Sequence, residues 1–535
     1  MALARTHSVA LVGVDAFVVD VEVDVGQGVP EFTLTALSDR VLAQVKHRVR
    51  SAITNSGEKW PLRRATVSLS PATVPKSGSR FDLAIAATLL AAAEAVPPGK
   101  LESWVVIGEL DLAGQVRAVT GVLPSVIGAY RAGARRFVVP RANVGEARLV
   151  TGAEVAGVGS LAELCAWVRE IAPLHDDEPA AAPHFEAADE PPDFRDVLGQ
   201  ETARHAMEVA AAGGHHVLML GPPGVGKTML AERLPGILPD LSADEALEVT
   251  GVHSVAGRLR PGAPLITRPP YCAPHHTSTV SAIVGGGSGL AMPGAVSLAN
   301  RGVLFLDETP LFSPRVLDAL RQPLESGTVT LARAGGVVTY PARFQLVLAA
   351  NPCPCSAAGQ DSAIAVCTCP GTAARAYQAK ISGAFRDRLD LVIDLLPVSR
   401  ALLVDSGLAG PHSLSGDSGA EPGAESSASI RERVSAARER SAARLAGTPW
   451  STNAAVPGPV LRRRWPVAPG AGRSLRRCID AGVISNRGVD RVLKVSWTLA
   501  DLAGRDRPSA DDVHFALCLR AGPAVAGVVG WPVSA

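Results

Sequence analysis

Short apolar runs alternate with longer amphipathic ones along most of the chain. Val18–Val25 (VVDVEVDV) and Ala65–Pro71 (ATVSLSP) place an apolar residue at every second position, and Arg135–Pro140 (RRFVVP) is a compact apolar run, so all three predict strands. Between them, Val41–Gly57 and Phe81–Val96 have helical spacing, which makes the first third an α/β or α+β domain. In the middle third, VLML (Val217–Leu220), VLFLD (Val303–Asp307) and FQLVLAAN (Phe344–Asn351) are short continuous apolar runs, the kind a parallel sheet buries on both faces. Toward the C-terminus, Arg431–Leu445 and Val489–Leu502 are periodic at helical spacing with Arg and Glu on the polar side, and predict a mostly helical tail.

Two stretches interrupt this pattern. Pro173–Pro192 carries six acidic residues, repeated Pro and no Lys or Arg, and Asp405–Ala428 is rich in Gly, Ser and Pro. Neither has the apolar surface to offset the entropy of ordering, so both read as linkers or long surface loops. The expected organisation is an N-terminal domain over 1–172, a linker over 173–193, a core over 194–404, a loop over 405–428 and a helical domain over 429–535.

A length of 535 residues fits several domains. With 52 Lys and Arg against 51 Asp and Glu, the net charge of +1 excludes a globally basic nucleic-acid surface, so any DNA contact must be local. An aromatic fraction of 4% argues against base stacking as the main binding device. No run approaches the about 20 apolar residues of a membrane span, and the longest candidate, Leu83–Ala93, is flanked by Asp82 and Glu94. The N-terminal stretch is broken by Asp15 and lacks a cleavage pattern, so no export and no membrane are expected, and the location reads as cytoplasmic.

Directly after VLML comes Gly221-Pro222-Pro223-Gly224-Val225-Gly226-Lys227-Thr228, followed by a helix-compatible segment. This is the phosphate loop G-x-x-x-x-G-K-[ST] in its strand–loop–helix context. Glycines let backbone N–H groups curl around phosphate oxygens, Lys227 brings a point charge, and the Thr228 hydroxyl is a Mg²⁺ ligand. The strand Val303–Leu306 ends in Asp307 and Glu308, the first suited to the magnesium shell and the second to polarising an attacking water. ATP and Mg²⁺ are therefore the expected ligands.

Asn351 ends the third apolar run, where its amide is either a turn former or a group holding water near the γ-phosphate. Arg388, in Phe385-Arg386-Asp387-Arg388-Leu389-Asp390, reads as an arginine finger for a neighbouring subunit's nucleotide or as a salt bridge to Asp387 or Asp390. Thr328–Tyr340 alternates, turns at Ala-Gly-Gly and alternates again, which predicts a β-hairpin with Arg333 beside its tip. Repeated around a ring, that arginine would form a local basic collar. Cys353-Pro354-Cys355 and Cys367-Thr368-Cys369 can supply four thiolates for Zn²⁺, or stand as reduced thiols in a loop. His275 and His276 read as a structural turn, a ligand pair or DNA contacts, and Arg462-Arg463-Arg464-Trp465 as a solvated face or a phosphate contact.

In this order the elements resemble an AAA+ ATPase of the magnesium-chelatase-like family that includes YifB and ComM. The resemblance rests on Arg268–Thr279, Val284–Glu308, Arg315–Ala334, Pro341–Cys355, Lys380–Leu391 and Ser485–Gly504, and covers nearly the whole chain outside the linkers. It implies an AAA+ core with a parallel sheet and a C-terminal helical lid. It also implies Asn351 as the sensor 1 residue, Arg388 as the trans-acting finger, and Arg487 or Arg491 as the sensor 2 arginine at the nucleotide. Members look like homo-hexameric rings with ATP between subunits and the hairpin in the channel. The ComM type acts as a DNA motor that promotes branch migration on branched or single-stranded DNA in recombination and transformation. A chelatase-type remodeller of a protein or metal-insertion partner is the alternative.

The N-terminal domain resembles the proteolytic domain of Lon over Asn55–Ala92 and Ile107–Pro140. Aligned on Lys76-Ser77-Gly78, Arg80 stands where the nucleophilic Ser belongs, and Leu123 where the Lys belongs. A protease needs both groups, so a structural or partner-binding role is expected, with Ser77 and Ser79 the remaining hydroxyls nearby.

Overall fold

A computed structural model describes residues 2–35, 39–76, 78–174, 192–260, 262–287, 290–333, 335–355, 369–397 and 425–522. Strands β1 (Ala2–Val12) and β2 (Asp15–Gly26) form a long antiparallel ribbon turning at Gly13–Val14. With β3 (Phe32–Leu34), β4 (Arg64–Ser70), β5 (Val105–Val106), β6 (Arg136–Pro140) and β7 (Glu154–Val158) they build a seven-stranded mixed sheet, ordered β3-β4-β2-β1-β5-β6-β7. Helices α1 (Asp39–Asn55) and α2 (Asp82–Ala92) lie on one face and α3 (Val122–Arg131) on the other. The apolar run noted above is α2: all its residues are buried, as expected for a helix without a polar face. No described helix is long and apolar enough to cross a membrane.

The second unit is a five-stranded parallel sheet. It combines β8 (Val217–Leu220), β9 (Tyr271–Cys272), β10 (Val303–Leu306), β13 (Gln345–Ala350) and β14 (Leu391–Asp394), ordered β9-β10-β13-β8-β14. Val217, Phe305 and Val347 pack toward α4 (Glu201–Gly213) and α5 (Lys227–Ile237), while Leu218, Leu304 and Leu346 face the opposite core, beside α6 (Ala243–Val255). Burial on both faces is why these strands read as continuous apolar runs rather than alternating ones. The predicted hairpin forms from β11 (Thr328–Arg333) and β12 (Gly336–Pro341), paired from Thr328 opposite Pro341 to Arg333 opposite Gly336. Short helices α7 (Arg321–Ser326) and α8 (Gly383–Arg386) precede the hairpin and β14.

The tail is helical, with α9 (Ser427–Arg444), α10 (Asn486–Leu502) and α11 (Ala510–Ala521) as its main members. Residues flanking the two linker-like stretches meet: the Phe194 N–H donates to Ser427 Oγ (2.8 Å) and the Ser427 N–H to Asp193 Oδ1 (2.8 Å). Arg462 pairs with Asp490 and Arg464 lies over the Trp465 ring at 4.9 Å, so both have partners within the tail.

The two sheets touch. Gly13 (φ +71°) sits so close to β12 that a Cβ there would lie 2.6 Å from Val338 Cγ1, and Leu11, Val12 and Val14 join the core around Tyr340. A side chain at this turn would both strain the backbone and push the hairpin away. Nearby, the Gly121 N–H donates to the Ser254 carbonyl (3.2 Å) and the Ser254 hydroxyl to Glu146.

Candidate active site

The phosphate loop leaves the C-terminal end of β8 and enters α5, the usual binding edge of a parallel sheet. Gly224 (φ +80°) and Gly226 (φ +93°) adopt left-handed conformations that curl the loop. Lys227 Nζ donates to the Gly221 and Pro222 carbonyls (2.7 and 2.8 Å) and to Asn351 Oδ1 (2.9 Å). Burial lowers the Lys227 pKa, opposed by the Asp307 and Glu308 carboxylates. Thr228 Oγ1 donates to Asp307 Oδ2 (2.9 Å), and Asp307 Oδ1 accepts from the Glu308 N–H (2.8 Å). Hydroxyl and carboxylate oxygens side by side are a donor set suited to Mg²⁺.

Three adjacent parallel strands, β8, β10 and β13, thus deliver Lys227 and Thr228, Asp307 and Glu308, and Asn351 to one place. Glu308 sits in the left-handed region (φ +48°), and His276 Nδ1 lies 3.5 Å from its Oε2. In sequence the His275-His276 pair reads as a turn, a ligand pair or DNA contacts, but not as a neighbour of Glu308, because β9 brings it there only through pairing with β10.

Arg388 pairs with Glu325 rather than with either aspartate its own segment offers. Asp387 lies 3.7 Å from Arg520, and Asp390 pairs with Arg491 at 2.9 Å. Asp390 is fully buried and also accepts from the His216 N–H (3.0 Å), with His215 Nδ1 at 3.5 Å. Burial pushes its pKa up, but Arg491, His215 and His216 outweigh it and hold the carboxyl well below the usual range. Arg491 is therefore tied to the segment carrying Arg388, whereas Arg487 is exposed on the first turn of α10. Arg333 is exposed beside the hairpin tip, its Nη1 donating to the Ala332 carbonyl (3.0 Å).

The sulfur atoms of Cys353, Cys355 and Cys369 lie within 4.8 Å of one another, a spacing compatible with the edge of about 3.8 Å in a tetrahedral zinc–thiolate site. Cys367, the fourth expected ligand, lies outside the described residues, as does Ser77. In the N-terminal unit, Arg80 donates to the Thr120 carbonyl (2.8 Å) and Ser125 Oγ (3.2 Å), and burial lowers its pKa to about 10. Leu123 is buried in α3 between these partners.

Three family models match the chain: "Magnesium chelatase, subunit ChlI" over residues 193–403, "Subunit ChlI of Mg-chelatase" over 21–143, and "Magnesium chelatase, subunit ChlI C-terminal" over 424–520. An uncharacterized protein of Mycobacterium tuberculosis is 49% identical over 97% of this chain and 99% of its own length. The protein YifB of Escherichia coli is 38% identical, covering 97% of each chain. Competence protein ComM of Haemophilus influenzae is 38% identical over 97% of this chain and 98% of its own.

Proposed function

Because the chain belongs to the magnesium-chelatase-like family that includes YifB and ComM, we propose that it is a ring-forming ATPase that moves branched or single-stranded DNA. The observation that carries the ATPase reading is the convergence of Lys227, Thr228, Asp307, Glu308 and Asn351 at one edge of the parallel sheet. In this reading Lys227 and the loop N–H groups grip the phosphates, and Glu308 orients water. Asn351 takes the sensor 1 role, and Arg388 reaches the next subunit's nucleotide. Thr228 and Asp307 hold Mg²⁺, which neutralises charge on the phosphates.

The DNA reading, including branch migration in recombination or transformation, is supported by full-length similarity to a competence protein and by the exposed Arg333 beside the hairpin tip. A homo-hexamer is the assembly that would set six such hairpins around a channel. In this reading the N-terminal unit is a degenerate Lon-like domain, supported by Arg80 and Leu123 standing, by the sequence resemblance, where the nucleophile and the lysine would be. The competing reading, a chelatase-type remodeller of a protein or metal-insertion partner, shares the ATP site and differs in what stimulates it.

ATP hydrolysis measured with and without a four-way DNA junction, with Lys227→Ala as the blank, separates them. Stimulation by the junction is expected, and hydrolysis indifferent to every DNA tested would overturn the DNA reading. The cysteine trio, with Cys367, is proposed to bind zinc. Metal analysis of the purified chain is expected to find about one zinc per chain, as for a structural four-thiolate site. The zinc should be lost in a Cys353→Ser, Cys355→Ser double variant, and a zinc-free native chain would count against the site.

A further inference from the structure

Arg388 is held by its own subunit. Its Nη2 donates to the Glu325 carboxylate and its Nη1 to the Ala384 carbonyl (2.6 Å), and its side chain is 14% exposed against 64% for Glu325. The seat is incomplete, because Arg388 Nε is buried with no partner. The surrounding segment, by contrast, is fixed from the lid. Arg491 of α10 pairs with Asp390, and Arg520 of α11 donates to the Leu389 and Arg386 carbonyls (2.8 and 3.4 Å). The backbone around the finger is thus anchored, and its guanidinium faces a mostly hydrated partner.

That partner sits at the root of the hairpin. Glu325 is on the last turn of α7, which closes with the Gly327 N–H on the Pro323 carbonyl (2.8 Å), and β11 starts at Thr328. Ser326 Oγ bonds the Thr328 carbonyl (2.8 Å), tying that turn to the strand. A shift of the hairpin therefore carries the Glu325 carboxylate with it.

A carboxylate and a phosphoryl group compete for the same planar fork of a guanidinium. We propose that Glu325 is a positioning residue that holds Arg388 in its own subunit, in competition with the neighbouring subunit's nucleotide phosphate, and so links hairpin position to the firing of that neighbouring site. The proposal rests on the trans-acting reading of Arg388. Because Glu325 is largely exposed, the pair biases the finger rather than locking it, and its removal shifts the balance by about five-fold at most.

The test is steady-state ATP hydrolysis by the full-length protein, as wild type, Glu325→Gln, Glu325→Lys, Arg388→Ala and the Glu325→Gln, Arg388→Ala double variant, with and without single-stranded DNA. Without DNA, Glu325→Gln is expected to raise kcat by about three- to five-fold with KM for ATP unchanged, because an exposed pair is removed while the phosphate loop is untouched. Glu325→Lys should match or exceed that gain, and the double variant should fall to the level of Arg388→Ala alone. A merely structural contact would lower kcat or leave it unmoved. Both charge variants melting like the wild type, with kcat at or below its value, would overturn the proposal. If neither single-stranded DNA nor a four-way junction affects the wild type, the DNA reading fails while the DNA-free comparison still decides on Glu325.

Discussion

Arg388→Ala is expected to lower ATP turnover by about 10³-fold or more while leaving ATP binding nearly intact, the signature of an arginine that acts only in the transition state. Nucleotide binding should survive because Lys227 and Thr228 open α5, and their hydrogen bonds run to the Gly221 and Pro222 carbonyls, Asn351 and Asp307 rather than to Arg388. The decisive measurement mixes two inactive proteins. A Lys227→Ala subunit still carries a finger, and an Arg388→Ala subunit still carries a phosphate loop, so a mixed ring contains competent interfaces. With equal amounts mixing at random, roughly a quarter of wild-type turnover should return if the finger works across a cyclic interface. No recovery from mixed rings of confirmed composition would place Arg388 outside the neighbouring site.

Asp390→Ala is expected to destabilise the second sheet and its lid by about 3–5 kcal/mol, the usual cost of removing one partner from a buried ion pair. The substitution strands the Arg491 guanidinium and orphans the His216 N–H. Lys494, whose pKa burial lowers to about 8, is nearby on α10 and loses a compensating charge as well. Asp390→Asn combined with Arg491→Gln removes both charges together and should cost less than Asp390→Ala alone. Urea unfolding followed by tryptophan fluorescence reads the difference, since Trp497 lies on α10. The sign with pH follows from the depressed carboxyl: the stabilisation is complete above the ordinary aspartate range and is lost only as pH falls through the lower native value. Equal midpoints for wild type and Asp390→Ala would show that the pair contributes nothing net.

These two residues also mark what the sequence could and could not reveal. The phosphate loop, the Asp307–Glu308 strand end and the hairpin are local: strand, turn and spacing are written in neighbouring residues, and each stands where its motif implied. The long apolar helix α2 was visible as a run, and its complete burial explains the missing polar face. Strand β1 was not legible, because its inward positions Ala4, Thr6, Ser8 and Ala10 are small or polar while Leu3 on the other side is exposed, so the alternation of burial is not an alternation of hydrophobicity. Ion pairing was the least legible of all. Arg388 had two aspartates within two residues, yet its partner Glu325 is 63 residues away, while Arg491 reaches Asp390 across 101. Such choices depend on how elements distant in the chain pack together, α7 against the segment before β14 for Arg388 and α10 against it for Asp390, which no short window encodes.

The turn at Gly13 carries a mechanical consequence. Because it bears on Val338 and Thr339, and Tyr340 on the same strand is anchored by its hydroxyl to the Ala291 carbonyl (2.7 Å), β12 is braced from two sides, and at its start a Cβ on Gly336 would lie 3.8 Å from Pro75 Cγ of the N-terminal unit. Load applied near Arg333 is therefore reacted by the N-terminal unit as well as by the second sheet. The N-terminal unit is then a buttress for the hairpin, with the Gly13 turn as a point where it bears.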